Sequence, residues 1–343
     1  MADARELSGK GKEPSGSPER SDVTQFAARR YVLGVSAVVV IVIGAFVGTL
    51  ALLHLLDRLP PPPLTGNACM DEKFKFLAER DLRDVDLIAV GSSVTWRNLD
   101  VAAFRHNGMA RRPLNAAPCY LYVSQVVFFT EFLLNRMPRV ATVVTVVAPR
   151  DFEQCTGPRD AFFPAALADA YVFHGMPSLP IYLSRFEPQK FVPDVVHIRG
   201  QRNDAYNRYT LVMDDNGAGP LLVGDFWMPK PVFDDTCFAA LSELERVVVG
   251  HGAKLIVAIF PLQPEWRAHF DPDGQLLGAF ERRVRASLGA SSTLVHSGLG
   301  IPSGSFHYAD SIHFLWDSAM KYSVQLAGDV GRTVQGRAGA AAP

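Results

Sequence analysis

The chain has 343 residues, 48 % of them hydrophobic and 20 % charged, with a formal net charge of −1. That is ample material for a core. The balanced charge leaves no basic footprint and argues against a nucleic-acid partner.

Residues 1–30 are rich in Gly, Ser, Glu and Lys and are expected to be a disordered tail. Tyr31 to Leu56 then reads YVLGVSAVVVIVIGAFVGTLALLHLL, with no Asp, Glu, Lys or Arg. About 20 apolar residues cross a bilayer. The apolar part of a cleaved signal runs only ~7–15. A retained transmembrane helix over 31–56 is expected, with a lipid bilayer as its partner. Arg29 and Arg30 abut this run, with Arg5, Lys10, Lys12 and Arg20 behind them, whereas Arg58 stands almost alone on the other side. The positive-inside rule then places the N-terminus in the cytoplasm and the large C-terminal part in a periplasmic or extracellular space. Residues 57–70 contain Pro60 to Pro63, which read as a stiff, extended spacer lifting the domain off the bilayer.

Cys69, Cys119, Cys155 and Cys237 all follow the apolar run. Four cysteines in an oxidising compartment permit two disulfides in three connectivities, with four buried thiols as the alternative. No pair has C-x-x-C spacing, so zinc is not indicated. LTGNAC before Cys69 has the look of a lipidation site, but it lies far from the apolar run.

Beyond the spacer, MDEKFKFLAERDL reads as an amphipathic helix and LIAVG as a strand covered on both faces. VAAFRHN follows as a helix capped by Asp100 and stopped at Gly108. PLNAAP is a candidate strand, SQVVFFTEFLLNRM a helix, and ATVVTVVAP the strongest strand signal. Residues 155–230 break the rhythm. Pro, Gly and aromatics are scattered there without helical period, and a hairpin is expected around Asn216-Gly217. This stretch reads as an insertion capping a site. FAALSELERVVV then reads as a helix capped by Asp235, AKLIVAIF as a strand, GAFERRVRASL as a helix and TLVHSG as a short strand. WDSAMKYSVQLAGDVGRTVQ closes the chain as a helix, with 336–343 a small-residue tail. The alternation predicts an α/β domain over 71–335, three-layer α/β/α, around a mostly parallel flavodoxin-like sheet. Sites in such sheets form at the carboxyl ends of strands.

At one such end stands Gly91-Ser92-Ser93. A serine nucleophile needs a base, and the base needs an orienting acid. Just ahead of the last helix, FHYADSIHFLWD supplies Asp310 and His313. Three residues apart on a turn, the carboxylate reaches one imidazole nitrogen and leaves the other for a serine. Ser92 is the rival nucleophile and His307 the rival base. His307-Asp310-His313 also has the look of a metal cluster, but spacing places no fourth ligand, and no cofactor is called for. Trp96, Arg97 and Asn98 follow the serine closely and are candidates to line a cleft, or else form an ordinary exposed first helical turn. RGQRNDAYNRY in the insertion interleaves Arg, Asn and Tyr, types that suit sugar rings and solvated loops alike.

From residue 84 to about 330 the sequence resembles the SGNH or GDSL-type hydrolases. Gly91-Ser92-Ser93 stands where that family has G-D-S, and Asp310 with His313 matches its terminal D-x-x-H. The resemblance implies Ser93 as nucleophile, His313 as base and Asp310 as orienting acid. Two further blocks of the family build an oxyanion hole. Here the first is NAAPCY, opened by Asn115 and lacking the family's glycine, and the second reads Ala148-Pro149-Arg150-Asp151, with Arg150 in place of an asparagine. Arg150 and Asn115 are therefore the tentative oxyanion or substrate contacts. Membrane-tethered proteins of similar kind include the alginate O-acetylation proteins and the protein needed for D-alanylation of teichoic acid, where a membrane-bound acyltransferase supplies the acyl group. The resemblance thus implies an esterase or O-acyltransferase acting on a polysaccharide or glycolipid. The alternative is a catalytically silent glycan-binding or scaffold protein.

Overall fold

A computed structural model describes residues 19–302 and 304–340. The chain divides into two compact units after Leu59.

The first unit is one helix, α1 (Glu19–Leu55), of which Gln25–Leu55 is long and apolar enough to cross a membrane. It starts earlier than the apolar run. No proline or glycine interrupts Glu19 to Leu33, so nothing in the backbone stops a helix there. The expected disordered tail is therefore helical from Glu19 onward, and its residues 1–18 lie outside the described residues.

The second unit begins at Pro60, and here the spacer expectation fails. Pro60, Pro61 and Pro62 are buried, as is Leu64. The Tyr182 hydroxyl donates to the Pro60 carbonyl, and Arg185 Nε donates to Pro63 O at 3.1 Å. Prolines lack an N–H but keep a carbonyl acceptor and an apolar ring. A polyproline strip is thus a good docking segment as well as a good spacer.

Next come α2 (Ala68–Ala78), capped by the Asn67 side chain, β1 (Leu87–Ala89), α3 (Ser93–Asn98) and α4 (Ala102–His106). β2 (Pro113–Asn115), α5 (Val123–Leu134) and β3 (Thr142–Val147) follow, then a 3₁₀ turn over Pro149–Phe152. The insertion holds three helices, α6 (Ala165–Phe173), α7 (Leu179–Arg185) and α8 (Pro188–Asn203), where no helical period was read. α8 buries Ile198 alone and carries Pro193 inside it, so it has no apolar stripe for a periodicity argument to find. The expected hairpin at 216–217 is a side-chain-built turn without strands. Asp214 Oδ1 accepts the N–H groups of Asn216 and Ala218 at 2.9 and 2.8 Å.

The chain continues through α9 (Asp235–Gly250), β4 (Lys254–Ile259), α10 (Pro264–Phe270), α11 (Gln275–Ala286) and β5 (Leu294–Ser297). Asp234, one residue before the expected cap, caps α9. A two-stranded antiparallel ribbon, β6 (Tyr308–Asp310) and β7 (His313–Phe314), precedes α12 (Trp316–Ala340). α12 runs through most of the expected tail.

Five strands form one parallel sheet in the order β2-β1-β3-β4-β5. Core residues alternate along the strands with the period of two that a pleated strand dictates. Ile88, Val143, Leu255 and Val257 join α5 and α9 residues such as Phe129 and Leu244 in one cluster. Leu87, Val144, Ile256 and Ala258 join Val94, Phe104 and Tyr322 in another. From β1 the chain travels to β2 on one side and later to β3 on the other. The crevice at that reversal opens at the carboxyl ends of β1 and β3. Disulfides pair Cys69 with Cys119 and Cys155 with Cys237, one of the three connectivities the sequence left open.

Candidate active site

The site starts with a backbone constraint. Gly91 has φ +151°, and a Cβ there would sit 2.1 Å from Thr95 Oγ1. Only glycine lets the chain turn from β1 into α3 so tightly. Thr95 Oγ1 donates to Val146 O and accepts from Val146 N, both at 2.9 Å, which fastens the young helix to β3. Ser92 caps α3, accepting from Val94 N at 3.1 Å. Ser93 is the first residue of the helix, so its N–H has no intrahelical carbonyl to bond.

Ser93 Oγ lies 3.0 Å from His313 Nε2, across 220 residues of sequence. His313 Nδ1 lies 2.7 Å from Asp310 Oδ2, and Asp310 Oδ1 accepts the N–H groups of Ile312 and His313 at 2.9 Å each. Burial raises the Asp310 carboxyl, but the His313 ring and these N–H groups more than offset it and hold the group below its ordinary value. A carboxylate so held accepts the Nδ1 proton and leaves Nε2 free to take one from a hydroxyl.

Helix α3, which carries Ser93, and strand β7, which carries His313, are also locked together. Asn98, fully buried, donates from Nδ2 to Ile312 O at 2.8 Å and accepts at Oδ1 from Phe314 N at 2.7 Å. It grips the backbone on both sides of His313. The adjacent serine makes a second buried pair, in which Ser92 Oγ donates to Asp151 Oδ1 at 2.5 Å and Asp151 Oδ2 accepts from Ala148 N at 2.8 Å. Burial pushes the Asp151 carboxyl up to about 6, against the pull of Ser92, Ala148 N, His313 and Arg150. Ser92 is thus committed to Asp151 and to capping, and the imidazole faces Ser93. His307, the other base considered, is 74 % exposed on its side chain and sits 3.4 Å from Asp317. It does not join Asp310 and His313 in a common cluster.

The tentative contacts fare differently. Asn115 does not face the cleft. It is fully buried, donating to the carbonyls of Leu99, Thr95 and Trp96 at 2.9–3.4 Å and accepting from Ala117 N at 3.2 Å. Its role is to terminate α3. Arg150 reaches the cleft, but its guanidinium is paired with Glu153 and lies 5.7 Å from the Tyr122 ring centroid. Trp96 and Arg97 line the cleft but are buried, not freely solvated. The Arg97 guanidinium stacks 3.5 Å above the Trp96 ring and donates to Thr210 O at 2.6 Å and Gly219 O at 3.2 Å. Buried Lys73 donates to Gly217 O at 2.6 Å and Asn115 O at 3.1 Å, and burial lowers its pKa. These two cations fasten the insertion to α3 and β2.

The resulting cleft has a volume of about 890 Å³. One wall carries Ser93, His313 and Asp310. The opposite wall is insertion, with Lys190 and Pro193 of α8 and the loop residues Tyr209, Phe226 and Trp227. Lys73 had no signal in the sequence, and Asn98 showed only as a residue close behind the serine, because the backbone groups they hold lie 42 to 216 residues away. Asp151 was visible only as the last residue of the Ala148-Pro149-Arg150-Asp151 block, with no role given to it.

Comparison with known proteins finds no family model that matches the chain and no curated protein similar to it. The resemblance to the GDSL-type hydrolases therefore stands on Gly91-Ser92-Ser93, Asp310 and His313 alone.

Proposed function

We propose that this chain is a membrane-tethered serine esterase or O-acyltransferase of SGNH type, with a three-layer flavodoxin-like domain. The observation that carries the reading is the 3.0 Å approach of Ser93 Oγ to His313 Nε2, with Asp310 behind the ring. Ser93 Oγ attacks the carbonyl carbon of an acyl ester, and His313 Nε2 takes its proton. Asp310 holds the ring in the productive tautomer and balances the imidazolium. The tetrahedral oxyanion meets the Ser93 N–H at the start of α3. The same imidazolium then protonates the departing alkoxide, leaving an acyl-serine. Water or a sugar hydroxyl, deprotonated by His313, attacks that ester and releases Ser93.

Two disulfides in the second unit fit an oxidising compartment, and α1 with its preceding cations fits a single crossing with the domain outside the cytoplasm. A tethered domain there suits an acetylated envelope or exported polysaccharide or glycolipid, with a membrane-bound acyltransferase as the source of acyl groups. One observation favours a silent glycan-binding protein instead. Asn115 spends its amide N–H groups on backbone carbonyls, and the Arg150 guanidinium is engaged with Glu153 rather than turned to Ser93 alone. The full chain incubated with an aryl acetate, with and without oligosaccharide, decides the matter. Acetate release lost in Ser93→Ala supports an esterase, and acetylated sugar lost in the same variant supports a transferase. Neither product, from wild-type protein, supports the binding protein.

A further inference from the structure

The ribbon that carries the acid and the base is small. β6 has three residues and β7 has two. Two strands alone are marginally stable in water. The backbone of β6 bonds β7, and it also bonds a segment of the far wall of the cleft. Asp225 N–H donates to Ala309 O at 2.7 Å, and Ser311 N–H donates to Trp227 O more loosely, at 3.4 Å. These bonds fall on the residues just before and just after Asp310. Asn98 grips the backbone around His313 in the same manner.

The segment is itself anchored on both sides of these bonds. Gly219 N–H donates to Trp96 O at 3.0 Å, and Arg97 donates to Gly219 O. Trp316 N–H donates to Leu221 O at 2.8 Å, and Trp266 Nε1 donates to Pro229 O at 2.8 Å. Gly224 allows the close approach to β6. A Cβ there would lie 3.0 Å from Ala309 O, inside van der Waals contact, and would press the two backbones apart. Meanwhile Phe226 and Trp227 line the cleft, and the Asp225 carboxylate pairs with Arg208 at 3.3 Å. The segment thus serves both walls, with its rings at the cleft and its backbone on the acid.

We infer that residues 224–227 are a strap that positions Asp310. By fixing the backbone on both sides of that residue, the strap keeps its carboxylate on His313 Nδ1. Asp225, through its N–H, and Gly224, through its missing side chain, are positioning residues. The positioning is independent of the acyl chemistry, whereas its effect on Ser93 rests on the proposed serine mechanism.

The test uses the full chain in detergent micelles and two readouts. One is the low-field proton resonance of His313 Nδ1–H, assigned by its absence from His313→Ala. The other is the rate at which a fluorophosphonate modifies Ser93. Asp225→Pro removes the N–H that bonds Ala309, whereas Asp225→Ala keeps it and loses only the pair with Arg208. In Asp225→Pro the resonance should vanish by exchange with water and labelling should slow about tenfold. In Asp225→Ala the resonance should stay. Gly224→Ala is the milder change, should broaden the resonance, and carries the test if Asp225→Pro does not fold. Leu244→Ala, in the buried cluster beside α9, controls for lost stability alone and should leave the resonance in place. A resonance unchanged in both Asp225→Pro and Gly224→Ala overturns the strap. So does its loss in Asp225→Ala or Leu244→Ala, or its absence from wild type. If the resonance behaves as expected but wild-type Ser93 is never labelled, the strap stands and the serine mechanism falls.

Discussion

The two walls of the cleft are built on different principles. On the sheet side, Ser93, His313 and Asp310 are joined by bonds of 2.7–3.0 Å and braced by fully buried Asn98. On the insertion side, backbone carbonyls near the base are tied down by Arg97 and Lys73, but the rim is loose in composition and open to water, with Phe226 85 % exposed. Reacting groups need sub-ångström placement, which buried hydrogen bonds in a sheet provide. Substrate-facing rims tolerate variation, and loops on a rigid scaffold supply it. The comparison assigns chemistry to one wall and selection to the other.

The sharpest way to break that division is to cut one bond network on each side. Asn98→Ala strands Ile312 O and Phe314 N in a buried place, which costs about 2–4 kcal/mol. It also frees His313 to drift from Ser93, so ester turnover should fall roughly 100-fold by lowering kcat. Phe226→Ala, on the other wall, should leave thermal stability within ~0.5 kcal/mol. Its effect should be a raised KM for a glycan ester with kcat nearly unchanged. Equal effects of the two variants on kcat would erase the distinction between the walls.

A smaller effect concerns how the sheet wall responds to pH. The folded protein holds the Asp151 proton with a pKa of about 6, against an ordinary value of 3.8, because burial disfavours the carboxylate. A raised folded value means that the stabilisation is complete below about pH 4 and is lost as pH rises through 6. The loss is on the order of 2–3 kcal/mol by pH 7. Asp71, pushed up to about 7 by burial, loses stability in the same direction. Asp310, held low, works oppositely, contributing at neutral pH and losing that contribution in acid. Asp151→Asn stays neutral throughout and keeps a donor for Ser92 and an acceptor for Ala148 N. Melting temperatures of wild type and variant should diverge between about pH 4 and pH 7, with the variant less sensitive. Parallel curves would show that Asp151 is not buried as an acid.

What the sequence revealed tracks the same division. Strand alternation, the glycine before the serines and the Asp310–His313 spacing are local patterns, so the sheet and the Ser93, His313 and Asp310 that meet at its edge were legible. The braces were not, since Asn98 acts on residues more than 200 positions away and Lys73 on Gly217. Asn115 was misjudged for the same reason. An amide at a strand end looks like an oxyanion donor until its three carbonyl partners are seen. The insertion hid its helices because α8 lacks an apolar stripe, and the prolines looked like free chain because the Tyr182 and Arg185 that hold them lie about 120 residues on.

The central claim is that Ser93 is made nucleophilic by His313. Treating the full chain with a fluorophosphonate and mapping the adduct by peptide mass tests it directly. The account predicts one adduct, on Ser93, absent from Ser93→Ala and slowed at least 100-fold in His313→Ala. An adduct on Ser92, or no serine adduct on folded wild-type protein, would contradict it.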